Sequence, residues 1–259
     1  MAWFDYLRLV RFGAHVTFLG VVVTALFFAD EMNLALFRSL LLLYISFNVL
    51  LYGGIYTIND IVDLKSDKRN PLKKNRPLPT GKMSVKSALI FAVVLVVMGL
   101  VTGFVFFGKT MLYIYLLFIL LNFFYTYIAK NVHYLYLAGA AITHPLRGLM
   151  AIVLVNSSTI PYFLLTAYFF LVLGSTCNRK IVERDVNGRE VSQVLRKYSM
   201  KGLLFIEILS FLAILVLFLI DNFSYRLLYF TIIFFYVTFV FGVYFSKQIR
   251  NLCRSILTH

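Results

Sequence analysis

The chain has 259 residues, 61% of them hydrophobic and only 14% charged, with a formal net charge of +14. A soluble domain of this length cannot bury so much apolar surface, so the composition excludes an ordinary water-soluble globule and points to a bilayer as solvent. The basic excess alone would suit nucleic acid, but its placement along the chain assigns it to a membrane protein, and no nucleic-acid partner is expected.

In chain order, apolar runs long enough to cross roughly 30 Å of hydrocarbon fall near 12–29, 35–58, 85–107, 111–129, 133–155, 160–178, 202–220 and 225–246. The first follows Arg8 and Arg11 without a small-residue cleavage site, and reads as a membrane span rather than a signal peptide. The runs lack the period-2 alternation of a barrel, and in lipid each backbone amide needs a partner within its own segment, so the spans are helices. The expectation is an all-α polytopic membrane bundle of about eight transmembrane helices, a single domain over residues 1–259. The connections near 30–34, 108–110 and 156–159 are short, and no soluble domain, low-complexity segment or clear internal repeat interrupts the pattern. Lys and Arg divide 21 to 3 between alternate sides, with Arg147 left inside a span. By the positive-inside rule, both termini and both long loops face the cytoplasm. Cys177 and Cys253 have no paired spacing, so neither a disulfide framework nor a zinc site is indicated.

The loop at 59–85 opens with Asn59, Asp60, Asp63 and Asp67. Spacings of three, four and seven place these side chains on one face of a helix leaving the second span. Three carboxylates packed together repel unless a cation sits among them, and Mg²⁺ takes one or two carboxylates, some waters and the oxygens of a substrate phosphate. Asn59 adds a neutral ligand. Lys68, Arg69, Lys73, Lys74 and Arg76 follow at once. Arg pairs with phosphate bidentately and Lys supplies a point charge, so metal seat and basic run together suit a diphosphate. Pro71, Pro77, Pro79 and Gly81 stiffen the return. The plainer reading of the basic run is topology plus attraction to anionic lipid, which leaves the spaced aspartates unexplained. Tyr56 and Tyr52 lie one and two turns before Asn59 and can face the same cavity, Tyr56 as a substrate contact.

In the fifth span, "ITHPLRG" carries Arg147 beside His144. A charge at mid-membrane needs a partner or a wet cavity. Arg147 is a candidate for phosphate binding or catalysis, with an internal salt bridge to Glu207 as the structural alternative. His144 reads as a packing histidine, and Lys130 and His133 as a short turn. The second polar loop, 178–201, offers Arg179 and Lys180 for phosphate, Glu183 and Asp185 as acids, and Tyr198 and Arg196 as late substrate contacts.

The pattern N-D-x-x-D-x-x-x-D after the second span, then a basic stretch and R-P-L-P-T-G, resembles the first aspartate motif of the UbiA superfamily of intramembrane prenyltransferases. Asn59, Asp60, Asp63, Asp67, Arg76, Pro77 and Gly81 all match. The resemblance implies an active site at the cytoplasmic helix ends, Mg²⁺ on Asp60, Asp63 and Asp67, a polyprenyl phosphate or diphosphate lipid and a phosphorylated donor. Superfamily members usually carry a second motif, D-x-x-x-D, after the sixth span. Here Asn178 stands where the first aspartate is expected, with Glu183 and Asp185 as substitutes, which puts a second Mg²⁺ in doubt. The superfamily usually has nine helices, whereas residues 246–259 read as too polar for a ninth.

Within that superfamily, "RKIVE" (Arg179, Lys180, Glu183), "NPLKKNRP" and the pair Leu146-Arg147 resemble the polyprenyl-phosphate phosphoribosyltransferase branch, although Asn70 replaces a histidine and the branch's W-V-K-N is not evident. The expectation therefore leans to transfer of phosphoribose from phosphoribosyl diphosphate to a polyprenyl phosphate, with prenyl transfer from a polyprenyl diphosphate to an aromatic or other small acceptor as the alternative. A non-enzymatic transporter or lipid-binding membrane protein is the rival from another class, and is disfavoured because the acidic cluster sits in a loop without a repeat counterpart.

Overall fold

The apolar runs become helices in the order the sequence sets out, and among the described residues there are no strands. The computed structural model describes residues 3–69, 73–187, 198–221 and 225–251, and of 3, 4, 14 and 183–187 it describes the backbone alone. A short helix α1 (Trp3–Val10) is followed by Arg11, a 3-10 turn (Phe12–Phe18) and α2 (Leu19–Phe28). The second span starts where Asn33 caps α3 (Leu34–Leu43), its side-chain oxygen accepting from the Leu36 amide at 3.0 Å. It widens into a π-helical stretch (Tyr44–Tyr52) and continues as α4 (Gly53–Asp67) without a break. Helix α5 (Val85–Tyr127) covers the two expected spans 85–107 and 111–129. Only Gly108 departs from helical geometry there, with φ 80° and ψ −172°, a conformation that a side chain would oppose. The chain turns back at this point, as shown by Tyr115 packing against Gly103.

Helices α6 (His133–Ala141) and α7 (His144–Leu154) share the expected fifth span, and α8 (Tyr162–Asn187) extends the sixth well past residue 178. Helix α9 (Met200–Ile220) is capped by Ser199, whose hydroxyl accepts from the Gly202 amide at 2.8 Å. The last span comprises α10 (Arg226–Phe235), a second π-helical stretch (Tyr236–Phe241) and α11 (Gly242–Phe245). After an extended Ser246 the backbone is helical again over 247–251.

By length and composition, Leu34–Asp67, Val85–Asn131, His133–Leu154, Met200–Ile220 and Arg226–Phe245 can each cross a membrane. Val85–Asn131 supplies two of the eight expected spans because it reverses at Gly108, and His15–Phe28 is a shorter apolar helix. Only 22% of the most apolar window of Val85–Asn131 is buried, and Val97, Val101, Phe104 and Val105 are each more than half exposed. An apolar exterior of this kind is solvated by lipid. The chain is a multi-pass membrane protein.

Two compact units divide the chain, Met1–Asn122 with Arg147–Ser158, and Phe123–Leu146 with Thr159–His259. In the first, Leu43, Phe47, Leu51, Ile55, Met111, Tyr115 and Phe118 form a buried interior. In the second, Leu137, Cys177, Ile181, Tyr198 and Leu203 pack together.

Candidate active site

The polar end of the second span lies wholly within the first unit. Helix α4 carries Asp60 and Asp67, which are 3% and 2% exposed despite their charge. Buried carboxylates persist only with cationic or hydrogen-bonding partners, and here the partners come from two directions. Nη1 of Arg76 donates to Asp67 Oδ2 at 2.9 Å and to Asp60 Oδ1 at 3.2 Å, so one nitrogen ties the two acids together. Lys73 Nζ lies 3.5 Å from Asp67 Oδ1. From the other side Arg11 forms a short ion pair with Asp60 Oδ1, and its guanidinium also lies over the Tyr56 ring, 5.0 Å from the centroid.

Local sequence explains how Arg76 is aimed. The segment Arg76–Met83 folds as tight turns: the Thr80 hydroxyl donates to the carbonyls of Arg76 (2.9 Å) and Pro77 (3.1 Å), and Gly81 takes a positive φ of 74°. Leu78 and Met83 plug this loop into a small core with Leu9 and Ala88. The proline-rich return thus places its arginine against α4 by burying two apolar anchors. Arg11 is held differently. Its backbone is left-handed, with φ 54° and ψ 59°, which costs on the order of 1–3 kcal/mol for a non-glycine residue. The next turn is pinned by His15, whose Nε2 donates to the Val10 carbonyl at 3.2 Å, which leaves Nδ1 to accept from the Tyr44 hydroxyl at 2.9 Å.

Asp60, Asp67, Lys73, Arg76 and Tyr56 therefore come together, as the sequence led one to expect. Asp63 and Asn59 are half-buried on the same helix, but among the described residues no three of His, Cys, Asp and Glu converge as a metal centre. The expected three-carboxylate cluster is thus a two-carboxylate one. Seven residues at 100° each bring Asp67 to within roughly 20° of Asp60 around the helix, whereas three leave Asp63 about 60° away. The remaining donor set still fits Mg²⁺, which needs only one or two carboxylates when phosphate oxygens complete its shell. Arg11 was missed by the sequence reading, which counted it only towards topology. Its one signal was a cation at the mouth of the first span.

A second polar feature of this unit lies deeper. Arg147 is 1% exposed. Its guanidinium stands 4.6 Å from the Tyr52 ring centroid, 5.5 Å from Phe47 and 5.7 Å from Phe118, and it donates through Nη1 to the Thr17 hydroxyl. No salt bridge among the described residues involves it.

In the second unit, Glu207 is fully buried and accepts from the Tyr244 hydroxyl at 2.7 Å. Asn178 is likewise buried, and its amide donates to the carbonyls of Phe239 (3.1 Å) and Val240 (2.6 Å) in the π-helical stretch. A π turn displaces carbonyls from their usual i+4 partners, and Asn178 satisfies two of them. Its place in the chain, where a metal-binding aspartate is expected, is filled by a structural amide. Tyr198, expected as a substrate contact, is instead a core residue, 2% exposed, with its hydroxyl donating to the His133 carbonyl at 2.5 Å. Lys180 lies over the Tyr136 ring at 4.4 Å, and Arg179 is exposed. The Glu183 and Asp185 side chains, together with Asn70, Pro71 and Arg196, fall outside the described residues.

A bundle of membrane helices with paired aspartates and arginines at the end of its second span defines the class. The model of the UbiA prenyltransferase family matches residues 17–254, and the chain belongs to that family. Among its relatives, the digeranylgeranylglyceryl phosphate synthase of Methanocaldococcus jannaschii is 33% identical over 96 residues, 37% of this chain and 32% of that protein. The protein of the same name from Methanococcus aeolicus is 39% identical over 98 residues, 37% of this chain and 33% of that one. The match thus spans about a third of the length of these relatives. Among solved structures, a UbiA homolog from Archaeoglobus fulgidus bound to DMAPP and Mg²⁺ has a TM-score of 0.76 at 17% identity, covering 97% of each chain. A digeranylgeranylglyceryl phosphate synthase structure has a TM-score of 0.68 at 21% identity, covering 98% of this chain and 93% of that one. The fold is shared over nearly the whole length.

Proposed function

We propose that the chain is an Mg²⁺-dependent prenyltransferase that moves an isoprenoid group from its diphosphate to a lipid acceptor bearing a hydroxyl and a phosphate. The observation that carries this reading is the gathering of Asp60 and Asp67 on Arg76, flanked by Arg11 and Lys73. Two buried carboxylates among three cations form a seat for a metal-bound diphosphate. The relatives' name, digeranylgeranylglyceryl phosphate synthase, supports a prenyl donor and a glyceryl phosphate acceptor.

In the proposed reaction the bond between the isoprenoid carbon and the diphosphate oxygen breaks, and the acceptor hydroxyl oxygen bonds to that carbon. The hydroxyl proton is released and pyrophosphate leaves. Bound Mg²⁺ would be held by Asp60 and Asp67, with Asn59 and Asp63 as further candidates, and would neutralise charge on the diphosphate. Arg76, Lys73 and Arg11 lie where a leaving diphosphate needs cations, and charge stabilisation there is the main expected source of rate. Tyr52 and Tyr56 continue the same face into the span, where apolar walls keep water from the developing carbocation. Arg179 and Lys180 remain proposed phosphate-binding residues, and Glu183 and Asp185 proposed acids, on the strength of the sequence alone. The 21-to-3 charge asymmetry supports a cytoplasmic location for the α4 end.

Transfer of phosphoribose, towards which the second loop leaned, finds no support among the matched relatives, and prenyl transfer replaces it as the preferred reading. Purified protein in nanodiscs would be offered labelled geranylgeranyl diphosphate with geranylgeranylglyceryl phosphate, and separately labelled phosphoribosyl diphosphate with a polyprenyl phosphate. Label entering lipid in the first mixture is the expected result. Label only in the second would reverse the assignment.

A further inference from the structure

Arg147 holds a charge that no carboxylate answers among the described residues. It is 1% exposed, and its one hydrogen bond among the described residues is from Nη1 to Thr17. Nε and Nη2 are buried without a hydrogen-bond partner among the described residues. These two atoms form one edge of the guanidinium, and their N–H groups point the same way, in the geometry that grips two oxygens of one oxyanion. The Tyr52, Phe47 and Phe118 rings give the cation π faces but accept nothing from that edge. A second orphan lies beside them in the chain. Asn48, next to Phe47 in the π-helical stretch, is 0% exposed with both side-chain polar atoms unpartnered among the described residues. Burying an unpaired charge is strongly unfavourable, and such groups in spans mark ligand sites.

The position of Arg147 relates it to the acidic cluster. Tyr52 and Tyr56 pack against each other at a 43° tilt with ring centroids 4.1 Å apart. Arg147 lies against the first of them and Arg11 against the second, and Arg11 pairs with Asp60. A continuous column of rings and guanidiniums thus runs along α4 from the acids into the span. Tyr52 precedes Asp60 by eight residues, which at 1.5 Å each is roughly 12 Å. A diphosphate at Asp60 and Asp67 and an oxyanion at Arg147 are therefore far enough apart to be separate groups, with room between them for an acceptor hydroxyl and the reacting carbon.

We infer that the Nε–Nη2 edge of Arg147 binds the phosphate monoester headgroup of the lipid acceptor, and so selects an anionic acceptor over a neutral one. This rests on the prenyl-transfer reading for the identity of the ligand but not for the existence of the site.

The test measures binding at equilibrium, without donor or Mg²⁺, in nanodiscs of neutral lipid. The probes are geranylgeranylglyceryl phosphate, its dephosphorylated alcohol and inorganic phosphate. The phosphorylated lipid is expected to bind at least about tenfold more tightly than the alcohol. Arg147→Lys, which keeps the charge and loses the paired donors, is expected to remove about tenfold of that affinity and leave the alcohol unchanged. Undiminished binding of Mg²⁺ and geranyl diphosphate shows that the variant is folded. Equal affinity for phosphate lipid and alcohol overturns the inference, as does an indifferent Arg147→Lys. Inorganic phosphate displacing the lipid at comparable concentration would assign the site to a free anion and overturn the lipid headgroup. Should the variant not fold, the comparison of the two lipids on the unaltered protein decides. Arg147-dependent lipid binding without any prenyl transfer would sink the proposed reaction and leave this site standing, whereas prenyl transfer to phosphate and neutral acceptors alike would do the reverse.

Discussion

Arg76 reaches Asp60 and Asp67 through a single nitrogen, so its removal leaves Asp60 with Arg11 alone and Asp67 with Lys73 alone. Because each acid keeps one cation, the cost falls below the roughly 3–5 kcal/mol of an uncompensated buried charge, to about 1–3 kcal/mol. Arg76→Met is therefore expected to lower the melting temperature, and added Mg²⁺ to recover part of the loss by taking the place of the missing cation between the acids. A Tm titration with Mg²⁺ against EDTA reads this, and a variant whose Tm ignores Mg²⁺ speaks against a metal seat at these residues. The acids and Arg76 were legible in the sequence because helical spacing and a stiff return loop relate residues close in the chain. Arg11 was not, since its contact with Asp60 joins residues 49 apart through a left-handed backbone that no spacing rule encodes. Periodicity alone groups Asp63 with its neighbours, whereas the packing turns Asp60 and Asp67 inward and leaves Asp63 half-buried.

The helices themselves were legible nearly throughout, because a run of apolar residues in lipid has few conformations available. What escaped notice is how two of the spans depart from the α form. Both π-helical stretches, Tyr44–Tyr52 and Tyr236–Phe241, are as apolar as the turns around them. The second is stabilised by Asn178, a residue read from sequence as a lost metal ligand. Restoring the acid, as Asn178→Asp, would set a carboxylate against the Phe239 and Val240 carbonyls with no proton to give. The expected cost is about 1–3 kcal/mol, measured as thermal unfolding in detergent. An unchanged Tm would mean that the amide is not what holds this turn. Gly108 is the opposite case. The Gly-Lys-Thr break at 108–110 reads in the sequence as the connection between two spans, and the reversal falls there.

At the scale of the molecule, composition and charge placement carried most of the information. Exposed Val, Leu and Phe describe a chain seated in lipid, and the basic residues concentrated in alternate connections predict that both long loops face the cytoplasm. In a Cys253→Ser background, with Cys177 buried, Lys74→Cys and Glu31→Cys lie at exposed positions on opposite sides of the second span. Membrane-impermeant maleimide applied to right-side-out cells is expected to label the second and spare the first, and the converse pattern would invert the topology. The division into two units was not legible, because nothing in an unbroken series of spans announces which helices pack with which.

The central claim is that Asp60 and Asp67 seat the metal-bound diphosphate of a prenyl donor. Its most direct test is Mg²⁺-dependent transfer of labelled geranylgeranyl from its diphosphate to geranylgeranylglyceryl phosphate, comparing the unaltered protein with Asp60→Asn and Asp67→Asn. Each substitution keeps the side chain's size while removing its charge, and is expected to cut kcat/KM by about 10²–10³-fold, with activity in the unaltered protein lost on adding EDTA. Variants that transfer the label as fast as the unaltered protein, or transfer that persists in EDTA, would contradict it.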